Sequence, residues 1–159
     1  MLAYIKMPFP LSYEHHIEVT FNVRKHTLDN LLNNIEFSLK KAKAKNIRND
    51  RNNITFTGGI FRPVTNLNIL GPVSSGRITV EKYKDKLRLK YYLKFTEMLL
   101  IVTAAVSIFL GPVICYDPNL TIVSKIAILA FAWCWLFGGN YLITIFRFPS
   151  FIKKMAQFA

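Results

Sequence analysis

The side chains that could carry chemistry are few and poorly spaced for it. His15, His16 and His26 offer imidazole nitrogens for a metal ion. Neighbouring residues on a strand point to opposite faces, however, and no carboxylate or thiol completes a ligand set around them. The run Gly71-Pro72-Val73-Ser74-Ser75-Gly76-Arg77 has the glycine spacing of a phosphate-binding loop. It lacks the Lys and following Ser or Thr that reach phosphate and metal, and it leads into a strand rather than a helix, so it reads as a turn. Glu14, Glu18, Asp29 and Glu36 form no pair suited to acid–base work, and no nucleophile elbow is present. Cys115 and Cys134 fall at different depths of two apolar segments and read as small packing residues rather than disulfide partners. No catalytic residue, metal site or cofactor is expected, and the chain reads as a protein without enzymatic activity.

What the sequence does specify is a location. Residues 98–116 and 122–146 are two apolar segments with almost no charge, joined by the turn Asp117-Pro118-Asn119-Leu120-Thr121. As a helix the first is about 28 Å long, close to the roughly 30 Å of a bilayer's hydrocarbon core. Its ten Leu, Ile, Val and Phe residues favour insertion by about 3 to 6 kcal/mol with no charge to oppose them. The second segment's only cation, Lys125, lies at its edge, where a long stem can snorkel to water. The expectation is a transmembrane helical hairpin over 96–147, with spans at about 98–116 and 122–146 and a short basic tail at 148–159.

Charge sets the expected orientation. Residues 1–94 hold 17 of the 21 Lys and Arg, and Arg147, Lys153 and Lys154 follow the second span. Positive flanks stay in the cytoplasm, so both termini are expected on the cytoplasmic side of a bacterial inner membrane, with the turn outside. The first 25 residues carry no signal-peptide pattern, so the first span serves as its own insertion signal.

The residues ahead of the hairpin, 1–95, suffice for one small domain. From His15 to Val23 the residues Ile17, Val19, Phe21 and Val23 alternate on one face as in a half-buried strand. Thr27 then reads as a helix cap, and Leu28, Leu31, Leu32, Ile35 and Leu39 have helical spacing. Lys40, Lys41, Lys43 and Lys45 crowd the end where the helix dipole favours cations, and Asn46 closes the helix. Strand-like stretches follow at 53–57, at 59–62 running irregularly through 63–70, at 76–83 and at 87–95. Gly71-Pro72 and Lys84-Asp85-Lys86 supply turns between them. The expected class is α+β, an antiparallel sheet packed on one helix and followed by the hairpin.

This order of elements resembles the cystatin-like topology. The inhibitor family's Gln-x-Val-x-Gly loop has no counterpart, since Gly58-Gly59-Ile60-Phe61 stands between the middle strands, so the resemblance implies a fold and not protease inhibition. With its segments Phe95-Thr96-Glu97-Met98-Leu99 and Phe137-Gly138-Gly139-Asn140-Tyr141, the chain also looks like the uncharacterised small bacterial membrane proteins that carry a soluble domain ahead of two spans. That likeness implies no activity.

The last strand of the domain alternates Leu87, Leu89, Tyr91, Leu93 and Phe95 with Arg88, Lys90, Tyr92 and Lys94, then enters the first span with no linker. Thr96 is expected to cap the membrane helix and Glu97 to suit its positive end. A domain held this close lies within a Debye length, about 8 Å, of the headgroups, where each cation gains roughly 1 kcal/mol from an anionic surface. Arg88, Lys90, Lys94, Arg147, Lys153 and Lys154 are the expected headgroup-docking residues. Nucleic acid is the rival partner of a basic chain, but no nucleic-acid motif accompanies the cations, and membrane topology already accounts for them.

Within the spans, Thr103, Ser107 and Gly111 recur at every fourth residue, as do Ala130, Cys134 and Gly138. Such small-residue seams let helix backbones approach closely. The simplest use is packing the two spans together; alternatively one seam meets a partner protein or a second copy. Asn140 needs an interhelical or backbone partner within the membrane. Trp133 and Trp135 lie deep for interface anchors, so at least one is expected to pack on protein.

Three functions fit these features. The first is a membrane accessory or scaffold protein whose cytoplasmic domain binds a protein partner. The second is a ligand-sensing effector that oligomerises and perturbs the bilayer. The third is a lipid-binding or lipid-handling protein with a cavity between helix and sheet, lined by Phe21, Phe37, Phe56 and Tyr91.

Overall fold

Alternating apolar residues build one sheet, and two helices cover its apolar face. The computed structural model describes residues 11–19, 28–59, 69–83 and 86–157. Its strands are β1 (Ser12–Val19), β2 (Lys45–Asp50), β3 (Asn53–Thr57), β4 (Ser75–Tyr83) and β5 (Lys86–Lys94), and α1 (Leu28–Lys41) lies between β1 and β2. All neighbours pair antiparallel, in the order β1-β5-β4-β3-β2. The class is therefore α+β, a five-stranded antiparallel sheet followed by two long apolar helices compatible with a hairpin.

One face of the sheet is apolar. Tyr13, Ile17, Ile54, Phe56, Ile78, Val80, Leu89, Tyr91 and Leu93 are buried there, in one core with Leu31, Leu32, Ile35 and Leu39 of α1. Each such side chain contributes about 1.5–3 kcal/mol on burial. Gly76 is required by this packing, because a Cβ at that position would lie 2.3 Å from the Phe56 ring.

Several boundaries differ from the sequence reading. Helix α1 is closed by Lys43, not Asn46: Lys43 takes a left-handed φ of 62°, and the Ala44 N–H donates to the Leu39 carbonyl at 2.9 Å. That is a Schellman closure. Asn46 has a φ of 48° but lies inside β2, where the pairing register shifts between Lys45 and Arg48. Strand β2 itself was not expected, because Lys45–Asp50 has no apolar alternation. Among the described residues it is an edge strand, paired with β3 alone, and its charges and irregularity suit an edge position. Thr27, His26, the strand residues beyond Val19 and the stretch 60–68 lie outside the described residues.

After β5 the chain enters α2 (Thr96–Ala105), passes through a π-helical turn at Val106–Leu110 and continues as α3 (Gly111–Tyr116). The return is α4 (Ile122–Trp133), a second π turn at Cys134–Gly138 and α5 (Gly139–Gln157). The two runs, Thr96–Tyr116 and Ile122–Met155, are long and apolar enough to cross a membrane, which points to a membrane location. A helix at the centre of a soluble protein would be mostly buried, whereas here only 11% and 6% of the most apolar stretches are.

The second helix does not stop at residue 146. It continues through Arg147 and Pro149 to Gln157, so most of the expected tail is helical. Tyr141, Ile145, Phe148, Ile152 and Met155 recur at three- and four-residue intervals and are buried in the same core as the sheet and α1. The soluble domain thus takes part of its core from the helix that returns from the hairpin. Pro149 has no N–H to offer the Ile145 carbonyl, so one rung of the helix is missing where its apolar part gives way to the part packed on the sheet.

The cap of the first membrane helix also differs. Its N-cap residue is Phe95, with no side-chain cap bond of its own. Instead Ser74, from the loop before β4, accepts the Glu97 N–H on Oγ at 2.8 Å, and the Ser74 N–H donates to the Lys94 carbonyl at 2.8 Å. Thr96 is the first residue inside the helix and is not the cap.

On β1, His15 is half-buried against the rings of Tyr13 and Tyr91, at centroid distances of 6.1 and 5.8 Å. Burial lowers its pKa from the ordinary 6.5, and the neighbouring His16 lowers it further. The unfolded chain then binds the proton more readily, so this contribution to stability is complete above pH 6.5 and is lost as pH falls toward the folded value. Thermal unfolding should show lower stability at pH 5 than at pH 7.5. His15→Gln should flatten that slope, and an unchanged slope would count against the assignment.

Candidate functional site

The polar face of the sheet is read directly from its pairing. In the row nearest the span, Ser12, Lys94, Ser75, Thr57 and Lys45 stand side by side. The next row on this face is Glu14, Tyr92, Arg77, Thr55 and Arg48, and the third is His16, Lys90, Thr79, Asn53 and Asp50. Glu18, Arg88 and Glu81 follow. On this face lies a groove of about 870 Å³, lined among others by Arg48, Arg77, Lys94, Thr55, Thr57 and Tyr92.

Charge is graded along the groove. Lys90 of the third row is paired with Glu14 of the second at 2.7 Å, Arg88 one row further is paired with Glu18 at 3.1 Å, and the Glu14 carboxylate raises the Lys90 pKa. Toward the span stand Lys94, Lys45, Arg77 and Arg48, all exposed, and among the described residues no ion pair is formed by them. Lys94 and Arg77 are diagonal neighbours on β5 and β4, and Lys45 and Arg48 lie on one strand, so like charges gather at this end of the sheet. Thr57 Oγ1 is oriented by the Asn46 amide, which donates to it at 3.2 Å, and itself donates to the Lys45 carbonyl at 3.1 Å.

Of the residues expected to dock on headgroups, Lys90 and Lys94 line the groove, and Arg88 lies one row beyond Lys90. Arg147, Lys153 and Lys154 are exposed on α5, on a different element. The sequence reading missed Arg48 and Arg77. The alternation of Ser75, Arg77, Thr79 and Glu81 in β4 was a usable signal for Arg77, but Arg48 belongs to the strand that no periodicity announced. The residues expected to line a lipid cavity are differently placed where they are described. Phe56 and Tyr91 are buried in the core, Phe37 is 68% exposed, and Phe21 lies outside the described residues.

In the hairpin, Asp117 Oδ1 accepts the Asn119 N–H at 2.8 Å and Thr121 caps α4 by accepting the Ser124 N–H at 3.2 Å. Lys125 folds back to donate to the Cys115 carbonyl at 2.7 Å, satisfying an end carbonyl of the first span. Deeper, Trp133 Nε1 donates to Thr103 Oγ1 at 3.0 Å and its ring stacks on Phe137 at 4.9 Å. Trp133 is therefore the tryptophan that packs on protein, whereas Trp135 is 72% exposed. Asn140 donates its amide to the Leu136 carbonyl at 2.6 Å, a backbone partner within its own helix.

The small-residue seams lie mostly on exposed or half-exposed positions of the two helices. Ser107, Ala130 and Cys134 are exposed, and a Cβ built on Gly138 would meet nothing within 4 Å. Gly111 approaches nothing nearer than the Val106 carbonyl at 4.0 Å. Val106, Ile114 and Phe137 are buried apolar side chains of these two helices. Of the seam residues, Thr103 alone has a hydrogen bond to the other span among the described residues. No protein-family profile, no curated protein and no solved structure matches this chain.

Proposed function

We propose that the chain is an integral-membrane accessory or scaffold protein. Its hairpin anchors it in a bacterial inner membrane with both termini in the cytoplasm, its sheet domain rests on the inner leaflet, and its outward surfaces bind a protein partner or a second copy. The single observation that carries this reading is the double attachment of the domain. Strand β5 becomes α2 with only Phe95 between them, and α5 runs from the second span into the domain core. A domain fixed at two points cannot swing on a tether, which suits a part that must present one surface at a fixed height above the lipid. The outward seams leave small residues free for a further helix.

The test is solubilisation in mild detergent after crosslinking from a photoreactive residue in place of Ala130, on the outward seam. An adduct with a larger membrane protein or with a second copy is expected. A chain that yields no adduct and always elutes as a monomer would overturn the reading.

One observation favours the effector as a second reading. The rings of Phe148, Tyr91 and Tyr13 form one tilted cluster in the domain at 4.8–6.1 Å, and Phe95, Tyr141, Phe137 and Trp133 form a second toward the hairpin, edge-on at Phe95–Tyr141 and stacked beyond it, at 4.8–6.0 Å. Trp133 then reaches Thr103 of the first span. A ligand-driven shift of the domain would be felt at mid-membrane through these rings. Growth arrest or dye leakage on induction, abolished by Gly138→Leu, would favour this reading over the first.

A further inference from the structure

We infer that the groove on the polar face of the sheet is a binding site for the phosphate headgroup of an anionic phospholipid, held by Arg48, Arg77 and Lys94. The inference deepens the membrane-anchored reading by assigning the domain a lipid ligand, and it rests on the membrane placement but not on any protein partner. Arg48 and Arg77 flank Thr55 in one row, about 10 Å apart across two strand spacings, and Lys94 stands in the next row beside Ser75. Two guanidinium groups and an ammonium around Thr and Ser hydroxyls match the acceptor oxygens of a phosphate, which guanidinium binds in a bidentate manner.

Position selects the source of that phosphate. Lys94 precedes the first residue of the membrane helix, Thr96, by two positions. The row of Arg77 and Arg48 lies two residues further along the strands, about 7 Å, which is within a Debye length of about 8 Å. A bilayer's headgroup layer is roughly 5–7 Å deep on each side of its hydrocarbon, so these cations stand at or beside headgroup depth. Glu14 stands in the row of Arg77, but its carboxylate is taken up by Lys90 of the next row, and past that row Arg88 is paired with Glu18 and flanked by Glu81, so an anion gains less there than beside Lys94, Arg77 and Arg48. The attraction is therefore concentrated at the end nearest the lipid.

The experiment uses the full-length protein in detergent micelles. Its thermal stability and its retained lipid are measured with added phosphatidylglycerol, phosphatidylcholine or free glycerol phosphate. Phosphatidylglycerol is expected to stabilise and to be retained selectively. Arg48→Gln/Arg77→Gln should weaken that binding roughly thirtyfold, as the loss of two surface cations predicts, whereas Arg51→Gln, an exposed cation in the turn beyond the Asp50–Asn53 row, should leave it within about twofold. Both changed arginines are exposed, so folding is expected to survive; if the glutamine pair does not fold, Arg77→Lys alone, which keeps the charge and loses the bidentate fork, is expected to lower retention severalfold. An equal response to phosphatidylcholine, an equal response to free glycerol phosphate, or undiminished binding in the arginine variants would each overturn the inference. A chain that is soluble without detergent would sink the membrane reading as well, whereas a membrane-bound chain indifferent to phosphatidylglycerol sinks only this inference.

Discussion

Deleting residues 148–157 is expected to unfold the sheet domain. Phe148, Ile152 and Met155 are buried at 0%, 0% and 3% exposure in the core that the sheet shares with α1. Their removal forfeits roughly 5–9 kcal/mol of apolar burial, as much as the whole stability of many domains. It also uncovers Tyr91, whose ring lies 4.8 Å from that of Phe148 and whose hydroxyl is driven well above its ordinary pKa by burial. The measurement is amide hydrogen exchange on the membrane-extracted protein. Protection in β1, β4 and β5 should be lost in the truncated chain while the hairpin stays protected. A sheet that kept full protection would show that α5 merely rests on the domain, and Phe148→Ala, expected to cost about 3–5 kcal/mol, separates that case from a gross defect of synthesis.

The second large effect is expected at Gly58. A Cβ there would lie 1.7 Å from the Val73 carbonyl oxygen and 3.0 Å from that of Leu70, both main-chain atoms. No side-chain rotation relieves such a clash, so Gly58→Ala must displace the turn from Leu70 to Ser74, at about 3 kcal/mol, the upper end of ordinary overpacking. That turn carries the Ser74 hydroxyl that caps the first membrane helix. The substitution should therefore loosen the join between domain and span as well as the sheet edge. Ser74→Ala isolates the second part and should cost about 1 kcal/mol, and Thr96→Ala should cost little. A melting temperature unchanged by Gly58→Ala would mean that the turn is free to move.

Much of the architecture was legible because it rests on periodicity. Leu89, Tyr91 and Leu93 alternate as a strand must, the strand expected at 53–57 is there to the residue, and of the expected helical stripe Leu31, Leu32, Ile35 and Leu39 are buried while Leu28 at its start is exposed. What escaped was non-local or lacked a pattern. The cap at Ser74 lies 23 residues from the backbone it serves, so no local motif announces it. Strand β2 has no apolar face to read. The continuation of the second helix was hidden by Arg147 and Pro149, which look like a stop, although Phe148, Ile152 and Met155 keep the helical interval beyond them. Of the candidate site, Lys90 and Lys94 were named from β5 alone. Their companions Arg48 and Arg77 depend on which strands become neighbours, and that is decided by tertiary pairing.

The shared core also orders events during synthesis. Strands β1 to β5 emerge from the ribosome before either apolar helix, yet part of what covers their inner face is made last, on α5. The nascent sheet therefore waits, with Leu93, Phe95 and Tyr91 incompletely shielded, until the hairpin has turned back and delivered Tyr141, Phe148 and Ile152. Completion of the fold is in this way contingent on the last helix being made and reaching the sheet. A chain cut short before Phe148 would keep part of that face open, so the final segment to be synthesised is the closing piece of a domain whose strands come first.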